Sequence, residues 1–200
     1  MHIADINLPE FFSAAFPSGE AARAFVDGVE RLNGPVPAKL ALHQAARMLW
    51  LADHINEFAN GRPALQILFY LIIAEAVAKI AFGFRGEGRS RTYVRRFFAE
   101  ICSEEHRRQL SIAFSMPRTH QGNMTYDQAV DILYDVRCDV VHEARYFGFH
   151  LAEEGDPHPM LTHWGGGDGI AHMTLSQLRR IILEGSILAV KMMLAQMPGL

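Results

Sequence analysis

Cysteine and lysine are scarce in this 200-residue chain: the thiols are Cys102 and Cys138, and arginine far outnumbers lysine. Two cysteines do not make a disulfide scaffold. The opening MHIADINLPEFF lacks both a positive stretch and an uninterrupted apolar stretch, so the sequence reads as an intracellular, cytoplasmic protein with reduced thiols. The Asn-Met-Thr sequon at Asn123 then carries no weight. An excess of positive charge is also missing: a formal charge of −3 and an isoelectric point near 6.4 say nothing in favour of a wholesale nucleic-acid binder, so any polyanion must meet a local patch. There is no internal repeat, no low-complexity tract and no alternating run long enough for a sheet. Nor is there an uncharged run of membrane length. Leu65 to Phe84 comes nearest, but Glu75 sits at its middle, where a charge costs ~2.5–3.5 kcal/mol in a bilayer, and Lys79 follows one turn later. No membrane is expected, and a buried core helix is.

What is present is apolar residue at helical spacing. Half the chain is hydrophobic, and a domain this long buries roughly 70% of its unfolded surface. Ser18 caps a short helix over residues 19–32, between breakers at Pro9, Pro17 and the Asn33 to Pro37 turn. Leu42, Ala46, Leu49, Trp50 and Phe58 form one stripe of a helix over residues 38–59, stopped by Asn60-Gly61. Pro63 opens the next helix, apolar on nearly every side. A basic, glycine-rich link leads to a helix near residues 92–101, and Ser103 caps another that Pro117 closes. The capping boxes Thr125-x-x-Gln128 and Thr174-x-x-Gln177 open the last two, the final helix ending before Pro198. Gly185 and Ala189, one turn apart, allow a close helix approach. Residues 153–173 read as a loop or a short hairpin. The expected fold is all-α: an up-and-down helical bundle of about five helices over residues 37–200, with residues 1–36 as an N-terminal extension.

Residues 133–147, LYDVRCDVVHEARYF, hold the residues with the clearest chemistry. Arg137 is a permanent cation whose planar donor fork suits phosphate, and His142 can give and take a proton near neutral pH. Together they suggest phosphodiester chemistry without a metal or other cofactor. On an ideal helix they lie about 140° apart, so they flank a cleft or pool with a second copy of the helix across a dimer. Asp139, three residues before His142, is placed to orient its ring.

This stretch resembles the signature of HEPN domains, an arginine followed after four to six residues by a histidine, and the Apea-like branch is the nearest likeness. The order of helices from about residue 40 to 195 fits too, including the apolar helix with an internal glutamate. The N-terminal extension is not covered. The resemblance implies a HEPN-like bundle and, as in many of its members, a metal-independent endoribonuclease acting as a homodimer in defence or stress responses. Arg137 and His142 would be its catalytic pair, the RNA 2′-hydroxyl attacking the adjacent phosphate. Other members are inactive modules that bind nucleic acid, nucleotide or a protein partner. The position after the arginine, commonly Asn, Asp or His in active members, is Cys138 here. The tyrosine that some members carry two residues after the histidine is Ala144, with Tyr146 two further on.

Arg85, Arg89, Arg91, Arg95 and Arg96, interleaved with Tyr93 and Phe97, are the densest positive run and a candidate RNA surface; Arg145 and Tyr146 join them as substrate-binding candidates. The bland alternative for the run is a solvated helix start. Glu75 needs a partner in its apolar helix: Arg137, which it would lock in place, or Lys79. Cys138 and His142 share a helical face but lack the paired spacing of a zinc site. His158, His163 and His172 crowd a glycine-rich segment without an HExxH motif and read as solvated. The GGGDG of residues 165–169 lacks the Lys-Ser/Thr of a P-loop and reads as a flexible turn.

Overall fold

Serine and threonine caps set where several of the helices begin. The computed structural model describes residues 6–58, 61–116, 124–156 and 158–197. Within them, α1 (Leu8–Phe11) and a short turn of tighter helix lead to α2 (Gly19–Glu30), where the Ser18 hydroxyl accepts the Ala21 N–H at 3.1 Å. Then come α3 (Pro37–Phe58), α4 (Pro63–Ala81), α5 (Ser90–Arg96), α6 (Glu104–Ser111), α7 (Tyr126–Glu143) and α8 (Leu175–Ala195). Thr125 and Thr174 complete reciprocal capping boxes with Gln128 and Gln177. At α6 an imidazole takes the place of the usual glutamine: His106 Nδ1 accepts the Ser103 N–H at 3.3 Å while its own N–H is capped by the Ser103 hydroxyl. The stop signals at Asn60, Pro117 and Pro198 and the sequon at Asn123 lie outside the described residues.

Helix α4 is the centre of the bundle because it can bury surface on every side. It packs against α3, α5, α7 and α8, and Ile67, Tyr70, Leu71, Ile73, Ala74 and Val77 are all buried. It is long and apolar enough to cross a membrane, but half of its most apolar window is already covered by protein. Residues 6–36 share this core: Phe12, Val26 and Val29 are buried within it, and Lys191 of α8 lies over the Phe16 and Phe25 rings. Past Arg96, α5 widens into a π turn, Phe97–Ile101, closed by the Cys102 N–H on the Phe97 carbonyl at 3.0 Å. That turn presses on α8 where a Cβ at Gly185 would stand 2.6 Å from the Phe97 ring, so glycine is what allows the expected close approach.

The structure is mostly helical, as expected, and it also holds a small sheet that the all-α reading did not include. Among the described residues, eight α-helices are joined by a three-stranded antiparallel sheet in the order β1 (Phe114–Ser115), β3 (Gly167–Ala171), β2 (Met160–Trp164). Of the two readings of residues 153–173, the hairpin is present. Its sheet is built on backbone pairing more than on side chains. β3 reads GDGIA, and β1 is two residues long. Buried Thr162 adds a stitch, its hydroxyl accepting the His150 N–H at 2.9 Å.

Candidate functional site

Helix α7 presents its functional residues on two different sides. Leu133 and Val136 fill the core. Arg137 turns toward α4, its Nη2 4.0 Å from Glu75 Oε2, while the other Glu75 oxygen accepts Lys79 Nζ at 2.6 Å and the Ser90 hydroxyl at 2.8 Å. Both partners foreseen for Glu75 are therefore present at once, one on each oxygen. Glu75 and Arg137 are 15% and 19% exposed, which makes this a half-buried network and not a surface pair. The guanidinium also lies 5.5 Å from the centre of the Tyr134 ring, whose hydroxyl pKa is raised, first of all by burial.

His142 occupies the other side. It is exposed in the last turn, and its imidazole makes no hydrogen bond or ion pair with any described residue. It lines an open cavity of about 390 Å³ together with Asp135, Cys138, Asp139, Glu143, Arg145 and the Gly165–Gly166 turn of the β2–β3 hairpin. Arg137 is not among the lining residues. The helix stops one residue later: Ala144 adopts the left-handed conformation at φ 53°, and the Arg145 N–H returns to the Asp139 carbonyl at 3.0 Å. Arg145 and Tyr146 thus lie beyond the helix and not on it.

Asp139 does not orient the His142 ring. Its carboxylate accepts the Gly165 N–H at 2.5 Å and faces Arg145 at 3.7 Å, pinning the hairpin turn to α7. The GGGDG segment is accordingly a fixed turn: a Cβ at Gly165 would collide with the Asp139 carboxylate, and one at Gly166 would stand 2.8 Å from Trp164.

One feature that sequence reasoning passed over decides the electrostatics. Asp127, Asp131, Asp135, Asp139 and Glu143 recur every fourth residue, an acidic ladder along α7 on the His142 side. The arginine run of α5 meets it. Arg95 grips Asp131 through Nε at 3.0 Å and Nη2 at 2.5 Å, and Arg91 reaches Asp131 at 3.2 Å and Asp135 at 3.8 Å. Arg96 pairs with Glu100 and covers the Phe82 ring. Three of the five arginines expected to hold RNA are thus engaged within the chain. Arg85 and Arg89 are exposed without a carboxylate partner among the described residues, Arg89 lying 5.8 Å from the Phe84 ring centre. Burial works to raise Asp131, yet the Arg95 and Arg91 guanidiniums outweigh it and hold the carboxyl below the usual range. Asp135 is pushed up, by burial first and then by Asp131 and Asp139, with Arg91 opposing.

The remaining candidates are dispersed. His158 pairs with Asp156, His163 with Asp168, and His172 with the Ser115 hydroxyl. Among the described residues no group of three His, Cys, Asp or Glu side chains is placed to hold a metal. Cys138 is half-buried in the cavity wall; Cys102 is buried beside Gly185, where desolvation pushes its thiol up.

Comparison with family models, curated proteins and solved structures finds no match. The likeness to HEPN domains therefore stands on the residues of this chain alone.

Proposed function

We propose that this chain is a metal-independent endoribonuclease of HEPN type that works as a homodimer. The observation that carries the reading is the state of His142: an exposed, unengaged imidazole at the mouth of a cavity, on the same helix as an arginine held in a fixed pose by Glu75. His142 shuttles the proton between the attacking 2′-hydroxyl and the leaving 5′-oxygen, and Arg137 steadies the charge that builds on the phosphorane. The fragments carry 2′,3′-cyclic phosphate ends. Proton transfer is worth roughly 10²–10⁴-fold and one charge donor about 10²–10³-fold, enough for a slow, regulated enzyme. A single copy does not serve, because Arg137 is absent from the cavity that His142 lines and the acids there repel phosphate. A second copy of α7 supplies the missing cation.

A catalytically silent HEPN module that binds nucleic acid, nucleotide or a protein is the second reading. It is favoured by the acidic wall around His142 and by Cys138 in place of a polar residue. Incubating wild type and His142→Ala with mixed RNA in EDTA separates the two. Cleavage by the wild type alone, leaving cyclic phosphate ends, supports the nuclease; equal cleavage by both, or none by either, removes it.

A further inference from the structure

The segment after α7 presents an aromatic shelf that neither the Arg137–His142 pair nor the core accounts for. Phe147 is 57% exposed, although it lies between half-buried Tyr146 and buried Phe149. Its ring stands 4.1 Å from that of Tyr146 at an interplanar angle of 31°, and the Arg62 guanidinium carbon is 4.9 Å from its centre. Arg62, the residue before α4, has no carboxylate partner among the described residues; the hydrogen bond its guanidinium makes there is a long 3.4 Å contact with the Gly61 carbonyl. Arg145, 64% exposed, stands two residues before Phe147.

The backbone that carries the shelf is fixed. The Gly148 carbonyl accepts the His163 N–H of β2 at 3.1 Å, Phe149 is buried near the Phe114 ring, and the His150 N–H is held by Thr162. An exposed phenylalanine on a rigid support is costly in water and well prepared for a planar partner, since no loop must be ordered when that partner arrives. The flanking charges select the partner's chemistry. A planar group next to a phosphate fits a flat ring with a cation over it and a second arginine two residues away in sequence, and every nucleobase offers a π face of that kind.

We propose that Phe147, backed by Tyr146 and flanked by Arg62 and Arg145, is a stacking platform for an unpaired nucleobase of single-stranded RNA. This rests on the RNA reading above, and it adds the strand state of the substrate and the residues that recognise it. The base takes the ring face that Arg62 now covers, and Arg62 swings out to the adjacent phosphate. A duplex, whose bases are already stacked, has nothing to offer the shelf.

The test measures binding, so that it is independent of cleavage. A fluorescein-labelled single-stranded oligoribonucleotide, the same strand with abasic sites, and a blunt duplex are titrated against His142→Ala by anisotropy. Phe147→Ala and Phe147→Trp are then added in the same background, with far-UV circular dichroism as the folding check. The platform requires Phe147→Ala to weaken the single strand about tenfold or more, Phe147→Trp to restore it, and the abasic strand and duplex to be insensitive. Equal affinity of Phe147→Ala for the intact strand, or no single-strand binding by any form, overturns it. So does loss of a dimer in Phe147→Ala at unchanged RNA affinity, which would make the shelf a contact between copies. A protein that binds through Phe147 but never cleaves keeps the platform and loses the nuclease; one that cleaves with Phe147 irrelevant does the reverse.

Discussion

The two sides of helix α7 differ in how much freedom they leave a charged group. On the α4 side, Arg137, Glu75, Lys79 and Ser90 form a closed, half-buried set in which every charge has a counterpart. On the hairpin side the charges are mostly acids, and the His142 ring stands among them without a partner among the described residues. A side chain held by several neighbours is positioned; one held by none can move a proton. The chemistry proposed here needs both properties, and a helix five residues from arginine to histidine divides them between its two faces.

The largest effect should come from taking one residue from each face and asking whether the faces cooperate between copies. His142→Ala should lower RNA cleavage by about 10²–10⁴-fold and Arg137→Ala by about 10²–10³-fold. Mixing the two inactive proteins should recover part of the activity, because a mixed dimer retains one histidine and one arginine in its shared groove. No recovery, in a gel assay of mixed and exchanged subunits, would show that each copy acts alone.

The next effect falls on stability. Glu75→Ala leaves Arg137 and Lys79 half-buried with no acceptor, at a cost of about 1–3 kcal/mol, read as a drop in Tm, whereas Glu75→Gln keeps part of the hydrogen bonding and costs less. On the opposite face, Gly165→Ala forces the Asp139 carboxylate aside and breaks the Gly165 N–H bond, for about 1 kcal/mol. If the hairpin is pinned as described, Asp139→Asn should weaken it without abolishing the turn.

The smallest effect sharpens the comparison within the acidic ladder itself. Asp131 has a lowered carboxyl pKa, so its pairing stabilises the fold above the ordinary carboxylate range and is lost as pH falls through the lowered value. Asp135 has a raised one, so its ionisation disfavours the fold increasingly as pH climbs from the ordinary value to the raised one. Asp131→Asn should therefore reduce Tm at pH ~7 and Asp135→Asn should increase it, each by an amount fitting ~0.2–1 kcal/mol, with both differences shrinking near pH ~3.

Much of the helical frame was legible because its signals are local. Ser18, Ser103, Thr125 and Thr174 mark helix starts that the structure places at the same residues, Pro63 opens α4, and Gly185 is where a neighbour comes close. The sheet was not legible. A two-residue strand carries no period, and β3, with two glycines and an aspartate, has Ile170 as its one branched residue of the kind that marks strands. The end of α7 was missed because an alanine, not a glycine, takes the left-handed position there. The acidic ladder could have been found by spacing alone. Its meaning could not, since α5 and α7 are far apart in sequence and only the fold sets Arg91 and Arg95 against it.

That alanine has a consequence for motion. A non-glycine residue in the left-handed region carries roughly 1–2 kcal/mol of conformational cost, and at Ala144 this falls on the turn that bears His142. The turn should be the first part of α7 to open. Amide hydrogen exchange at Arg145, whose N–H closes that turn on the Asp139 carbonyl, is expected to run well ahead of exchange at Val136 in mid-helix, and Ala144→Gly should slow it. The histidine would then sit on the most yielding part of an otherwise rigid helix, so its reach toward a substrate is set by how often one strained turn unwinds.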